Sequence, residues 1–277
     1  MYSLDKAQVD TICKEFEEVG FAKLPIRLSK DTVDSLNIEI DAEVQKEKEN
    51  NHNAIHFKID DIVGRNQKIR ELVSFKPALQ ITHKIIKQCF RVCLSNAIHR
   101  VFDPNAKQDF SGSSPWHSDG AALKDFPSPN GEIGLRYVKF GFFLSDLSSG
   151  EGSSLEVIKG SHKQKELDGV NHTEFDVSKY KNKHVKLNDE VGSVVVFHQA
   201  LWHAAGQHLL HTPRRTIYIA YSPSWILPYD RGLNDEWAAE KNSSTDLKRY
   251  LMDGPDKGID AWKQPQGHRE MFSRDCN

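Results

Sequence analysis

His117 stands two residues before Asp119 in the turn-rich run SGSSPWHSDGAAL (111–123) of this 277-residue chain. On an extended segment, residues i and i+2 point to the same side, so such an imidazole and carboxylate can meet one cation. The pair alone says little, because His172 and Glu174 repeat the His-x-acid spacing and a metal needs a third ligand. Four later histidines offer one: His198, His203, His208 and His211, all within GSVVVFHQALWHAAGQHLLHTPRRTIYIAYSP (192–223). His203 is the best placed. It follows an apolar strand and precedes Ala204, Ala205 and Gly206, small residues that let a ligand approach the backbone. His198 is the runner-up, and His208 and His211 read as loop or surface residues.

Two histidines and an aspartate on a rigid β scaffold make a facial triad, the ligand set that holds iron(II) with positions open for a co-substrate and O2. Zinc accepts the same ligands, so ligand type alone leaves the metal undecided. Arg214, which opens the strand RRTIYIAY behind Pro213, weighs toward iron. Strand alternation gives Arg214, Thr216 and Tyr218 one face, where a planar guanidinium and a hydroxyl could hold a carboxylate together. An arginine so placed suits a dicarboxylate co-substrate with one end on the metal and the other on the guanidinium. Arg215 then faces the opposite side.

The elements that must position these residues follow from hydrophobic periodicity. SLDKAQVDTICKEFEEVGFAKLP (3–25) reads as a helix with Val9, Ile12 and Phe16 on one stripe, a polar start at Ser3 and a stop at Gly20, followed by a short strand. A second helix is expected in LSKDTVDSLNIEIDAEVQKE (28–47), opening near Ser29 or Asp31. Residues 68–94 read as helix broken by Pro77 and resumed after it. From there NAIHRVF, GLRYVKFGFFL, SSLEVIKGS, GSVVVFH and RRTIYIAYS, separated by turn residues, point to a sandwich or barrel of antiparallel strands. In the second of these, alternation sends Tyr137, Lys139 and Gly141 one way and Arg136, Val138 and Phe140 the other. Arg136 and Lys139 are expected as surface charges on an outer sheet, because lysine is seldom buried unpaired.

Composition bounds the remaining choices. A hydrophobic content of 38% and a formal net charge of -2 describe an ordinary globular chain without a field that steers it to nucleic acid or anionic membrane. A small or neutral partner is expected. No apolar run approaches a membrane span and the first residues lack a secretory pattern, so the expected location is the cytoplasm. Cys13, Cys89, Cys93 and Cys276 are too scattered for a disulfide framework, and Cys89 and Cys93, one helical turn apart in the expected helix, read as buried free thiols.

Taken together, His117, Asp119, His203 and Arg214 resemble the phytanoyl-CoA dioxygenase family of iron(II), 2-oxoglutarate-dependent oxygenases. FEEVGFAKLP, LSKDTVDSL, FGFFLSDL, GEGSSLEVIKGSHK and ALWHAAGQ follow the family pattern in order, across about Ser3 to Tyr221. The resemblance implies a mainly β protein with flanking α-helices, built as a double-stranded β-helix (cupin-like jelly roll). It implies Fe(II) on His117, Asp119 and His203, 2-oxoglutarate on Arg214 with Thr216 beside it, and O2 as the oxidant. Two departures touch loops rather than ligands: Gly152, Ser153 and Ser154 stand where many relatives have Asn-Gly, and Ala204-Ala205 replaces the usual Gly-Ser after the distal histidine. Asp119 argues against halogenation, since halogenating relatives carry a small residue there.

The expected organisation is a single oxygenase domain over 1–277. It comprises a helical part (1–93) packed on the barrel, a jelly-roll core (94–222), and a cover segment (223–277) carrying Trp225, Trp237 and Trp262. The expected reaction is hydroxylation of an unactivated C–H bond in a small-molecule metabolite, with 2-oxoglutarate decarboxylated to succinate and CO2. Trp116, beside the first ligand, is a candidate for shaping the pocket. Desaturation, epimerisation or ring formation on a secondary metabolite would use the same cofactors. The alternative of another class is a metal-binding cupin-like module without oxygenase activity.

Overall fold

The structure is a computed structural model, and it describes residues 2–50, 52, 54, 56–87, 89–102, 116–119, 134–150, 152, 154–164, 175–187, 189–206, 208–226 and 228–230. His172, Glu174, Trp237, Trp262, Cys276 and all but the first residues of the expected cover segment lie outside that set.

Helix α1 (Lys6–Val19) starts at Asp5 rather than Ser3: the Asp5 carboxylate accepts from Gln8 N, and the Gln8 side chain returns a bond to the Asp5 backbone. That capping box satisfies two of the donors a helix start leaves open. Gly20 closes the helix at φ 91°, a conformation glycine adopts without steric cost. Strand β1 (Phe21–Arg27) follows, and helix α2 (Lys30–Asn50) begins after Ser29, whose hydroxyl accepts from Thr32 N at 3.3 Å. Next come β2 (His56–Asp60) and two short helical segments, α3 (Ile62–Arg65) and α4 (Gln67–Arg70).

The expected helix over 68–94 begins as read, with α4 and a helical turn at Glu71–Ser74, and is corrected in the role of Pro77 and at its far end. Helix α5 (Lys76–Ile86) carries Pro77 in its first turn, where the missing N–H is not needed, so the proline opens the helix instead of breaking it. The chain then turns at Lys87, with φ 58°, and enters strand β3 (Phe90–Arg100). Cys93 therefore lies on a strand and Cys89 just before it; both are buried and free, as expected of the thiols, but no helical turn relates them.

Among the described residues six further strands follow: β4 (Val138–Phe143), β5 (Leu155–Ile158), β6 (His184–Leu187), β7 (Ser193–His198), β8 (His203–Ala204) and β9 (Arg214–Pro223). They form a six-stranded sheet in the order β1-β7-β4-β9-β3-β2 and a three-stranded sheet in the order β6-β5-β8, with every pair antiparallel. The protein is thus mainly β with flanking helices, in the manner of a cupin-like jelly roll. Residues 1–93 are less purely helical than expected, because β1 and β2 form the two edges of the larger sheet and β3 begins at Phe90.

Strand β4 is buried along its whole length, since both of its faces are covered. Phe140 and Phe142 join the core shared with the helices, where Phe142 meets Phe75 edge-on at 5.6 Å. Phe143 joins Leu155, Val157, Phe197 and Tyr218 in the layer between the sheets. Alternation in β4 therefore sorts one face toward the helices and the other toward the barrel interior. Among the described residues no helix is long and apolar enough to cross a membrane.

Candidate metal centre

Two backbone bonds bring His117 beside His203. His117 N donates to His203 O at 2.9 Å and His203 N to His117 O at 2.8 Å, so the two residues form an antiparallel bridge and their rings lie 4.3 Å apart. Asp119 N donates to Gln199 O at 2.8 Å, which sews the segment to the β7–β8 turn at a second point. Gln199 is wholly buried; its Nε2 donates to Gly134 O at 2.9 Å and its Oε1 accepts from Arg136 N at 3.3 Å. The turn is thereby fixed to the chain that enters β4.

As a result one ligand atom each from His117, Asp119 and His203 lies within 4.8 Å of the other two. Asp119 Oδ1 is 3.6 Å from His117 Nε2 and 3.8 Å from His203 Nε2. His203 Nδ1 lies 2.7 Å from Leu201 O; the tautomer that donates there leaves the Nε2 lone pair facing the aspartate. Burial, reinforced by the neighbouring His117, pushes His203 down to about 3, so its ring is neutral near pH 7. Burial would raise Asp119, but the Lys139, His203 and His117 charges more than offset it and hold the carboxyl well below its usual range. Neutral imidazole and ionised carboxylate are the states in which these groups donate to a divalent cation.

Lys139 departs from its expected position on an outer surface. Its register opposite Phe197 and Ala220 turns it toward the barrel interior, and its Nζ lies 2.9 Å from Asp119 Oδ2. The ammonium also sits 5.5 Å from the Phe197 ring and 5.3 Å from the Tyr218 ring. Pairing with a carboxylate is what permits a lysine there. Tyr137, buried just before β4, also hydrogen-bonds Asp119; burial and that carboxylate raise its hydroxyl far above the ordinary value.

Arg214 is 1% exposed, lies opposite Arg100 of β3, and donates from Nη1 to Gly206 O at 2.8 Å. Burial and the Arg100 charge both act against its guanidinium and lower its pKa. Thr216 is likewise buried, and the Tyr218 ring two residues on stands beside Lys139 Nζ, so one face of β9 runs from the arginine toward the aspartate. Arg215 faces away, as alternation requires, and holds Asp41 of α2 with two bonds of 2.7 and 2.8 Å.

The other histidines fall elsewhere. His198 Nδ1 accepts from Ala200 N at 3.0 Å while its ring packs on His162 and Phe16. His208 Nε2 lies 2.7 Å from Thr212 O, and His211 rests against Phe102. Trp116 is buried against Phe175 and His184 in a cluster with Trp202, so it anchors the segment that carries His117.

The family model described as Phytanoyl-CoA dioxygenase (PhyH) matches residues 4–216. The chain belongs to the phytanoyl-CoA dioxygenase family. No curated protein sequence matches it. Among solved structures, the PhyH fold of this chain is similar to the epimerase SnoN in complex with Fe3+, alpha ketoglutarate and nogalamycin RO. The TM-score is 0.60 at 16% identity, over 79% of this chain and 84% of that one. The alpha ketoglutarate dependent carbocyclase SnoK from nogalamycin biosynthesis aligns at TM-score 0.59 and 17% identity, over 79% and 84%. EctD from S. alaskensis, with 2-oxoglutarate and 5-hydroxyectoine, aligns at 0.58 and 15%, over 80% and 78%. At such identities the structures share the fold.

Proposed function

We propose that this PhyH family member is an iron(II), 2-oxoglutarate-dependent dioxygenase that hydroxylates an unactivated C–H bond of a small-molecule metabolite, releasing succinate and CO2 from 2-oxoglutarate. The observation that carries this reading is the convergence of the His117, Asp119 and His203 ligand atoms within 4.8 Å inside the jelly roll. In that role His117, Asp119 and His203 hold the iron, and Arg214 with Thr216 holds the distal carboxylate of 2-oxoglutarate.

The residues fit both groups. The triad presents two imidazoles, that of His203 neutral, and one ionised carboxylate, and Arg214 is a buried cation whose charge an incoming carboxylate would stabilise. When bound with 2-oxoglutarate and O2, the iron supplies the oxidising chemistry. The chain's share is placement. The Leu201 carbonyl sets the His203 tautomer, Gln199 sets the height of Asp119, and Phe143, Phe197 and Tyr218 wall the interior against stray water.

The structural relatives support the cofactor pair, since SnoN is seen with Fe3+ and alpha ketoglutarate and EctD with 2-oxoglutarate. SnoN is an epimerase and SnoK a carbocyclase, which keeps epimerisation and ring formation as the second reading on the same site. Net charge of -2 suits a small substrate in the cytoplasm, and strands contributed by both 1–93 and 94–222 to one sheet support a single oxygenase domain.

Anaerobic titration with Fe(II) and 2-oxoglutarate tests the site: a visible charge-transfer band is expected from the wild type and none from His203→Ala. A wild type without the band sinks the proposal and favours the metal-binding module. Succinate release on a panel of small acids, amino-acid derivatives and terpenoid or alkaloid metabolites then identifies the substrate, and product analysis separates hydroxylation from epimerisation or ring formation.

A further inference from the structure

Lys139 is 7% exposed and lies on β4, flanked by β7 and β9 in the interior of the larger sheet. Burying an ammonium is costly, so its position calls for an electrostatic reason. The Asp119 carboxylate supplies one, and its two oxygens are divided between different neighbours. Oδ1 faces Nε2 of both His117 and His203, at 3.6 and 3.8 Å, whereas Oδ2 is taken by Lys139 Nζ at 2.9 Å. The rings of Phe197 and Tyr218, 5.5 and 5.3 Å from that nitrogen, bracket it with attractive faces and keep it in place. Carboxylates bind metals through one oxygen or two, and a carboxylate with both oxygens free can close onto a cation as a chelate.

We propose that Lys139 is a positioning residue that reserves Oδ2 of Asp119, making this carboxylate a one-oxygen metal ligand and keeping the remaining coordination positions open for the co-substrate and O2. The inference rests on the metal reading given above. Lys139 acts through Asp119 and touches neither metal nor substrate. Its charge also repels a divalent cation nearby, so the lysine lowers metal affinity in exchange for an open site. A side chain that merely filled space would do neither.

Mn(II) binding to the full chain, followed by water-proton relaxation, separates these cases without turnover. Lys139→Met keeps an unbranched side chain between Phe197 and Tyr218 but takes the ammonium off Oδ2, leaving Tyr137 as the hydrogen-bond partner that Asp119 retains on that side of the site. We expect Mn(II) to bind about tenfold more tightly, and the relaxivity per bound ion to fall by about a third as one of about three exchangeable waters is displaced. Lys139→Arg retains a cationic donor and is expected to keep the wild-type water count, which also guards against a misfolded methionine variant. Weaker Mn(II) binding by Lys139→Met with an unchanged water count overturns the inference and leaves the triad standing. Wild-type protein that binds no Mn(II), or binds it equally well as His203→Ala, overturns the triad and this inference together.

Discussion

Replacing Arg214 by lysine keeps a positive charge but exchanges a planar fork for a point charge on a flexible stem. Because the side chain is 1% exposed and already spends Nη1 on Gly206 O, the shorter ammonium cannot both hold that carbonyl and grip a carboxylate from two sides. The proposed anchoring role predicts that Arg214→Lys raises the KM for 2-oxoglutarate by about tenfold to a hundredfold, with metal affinity unchanged, since a charge-assisted bidentate contact contributes about 1.5–3 kcal/mol. Isothermal titration of 2-oxoglutarate into Mn(II)-loaded protein checks it, and equal affinities would remove Arg214 from the role. That His117 and Asp119 turn the same way, and that Arg214 shares a face with Thr216 and Tyr218, was legible in the sequence because alternation on extended segments fixes which side chains point together. Lys139 was not. Alternation grouped it correctly with Tyr137 and Gly141, but nothing local says which face of a strand looks inward, and its partner Asp119 is 20 residues away, so their meeting is a tertiary fact.

The turn between α1 and β1 shows how an element remote in sequence supports the site. Gly20 has φ 91°, and a Cβ there would come within 2.6 Å of both His162 Nδ1 and Leu201 Cδ1. Leu201 in turn provides the carbonyl that faces His203 Nδ1, and Gly20 O accepts from His198 N at 2.9 Å. Gly20→Ala therefore combines a left-handed backbone with a clash against the β7–β8 turn. The expected cost is about 1–3 kcal/mol, read as a lower Tm, together with weaker Mn(II) binding because the His203 support shifts. An unchanged melting curve would show that the turn relaxes freely. Elements with clear punctuation were readable: Gly20 ended a helix and the β-branched runs became strands β7 and β9. The stretch from Lys68 to Leu94 misled because Pro77 is compatible with a helix start as well as a break, and because the apolar run from Cys89 onward suits a buried strand as well as a helix. Only the sheet partners β2 and β9 decide for the strand.

At the scale of the whole molecule, burying several histidines ties stability to pH. Burial, with the Arg215 charge adding to it, pushes His99 down to about 4; burial and the neighbouring His162 push His198 to about 3; His203 is pushed to about 3 in the metal-free protein. The unfolded chain titrates these rings near the ordinary value of 6.5, so between that pH and the folded values it takes up protons that the folded state refuses. Stability contributed by the neutral, buried rings is therefore fully present above about pH 6.5 and is lost as pH falls toward 3–4, with each ring adding a slope of about 1.4 kcal/mol per pH unit. Asp119 and the other depressed carboxyls add their losses only lower, below the ordinary carboxylate range, whereas Asp230, raised to about 6 by burial, adds stability as pH falls below that value and offsets about one ring's slope. Thermal melts of chelator-treated protein are expected to give a nearly constant Tm above pH 6.5 and a steep decline below it. His198→Gln retains an acceptor for Ala200 N but cannot titrate, so the decline should become shallower by about one ring's slope. A wild-type Tm that stays level down to pH 5 would mean that these rings accept protons in the folded state, and hence that the interior admits water where the proposed chemistry requires it excluded.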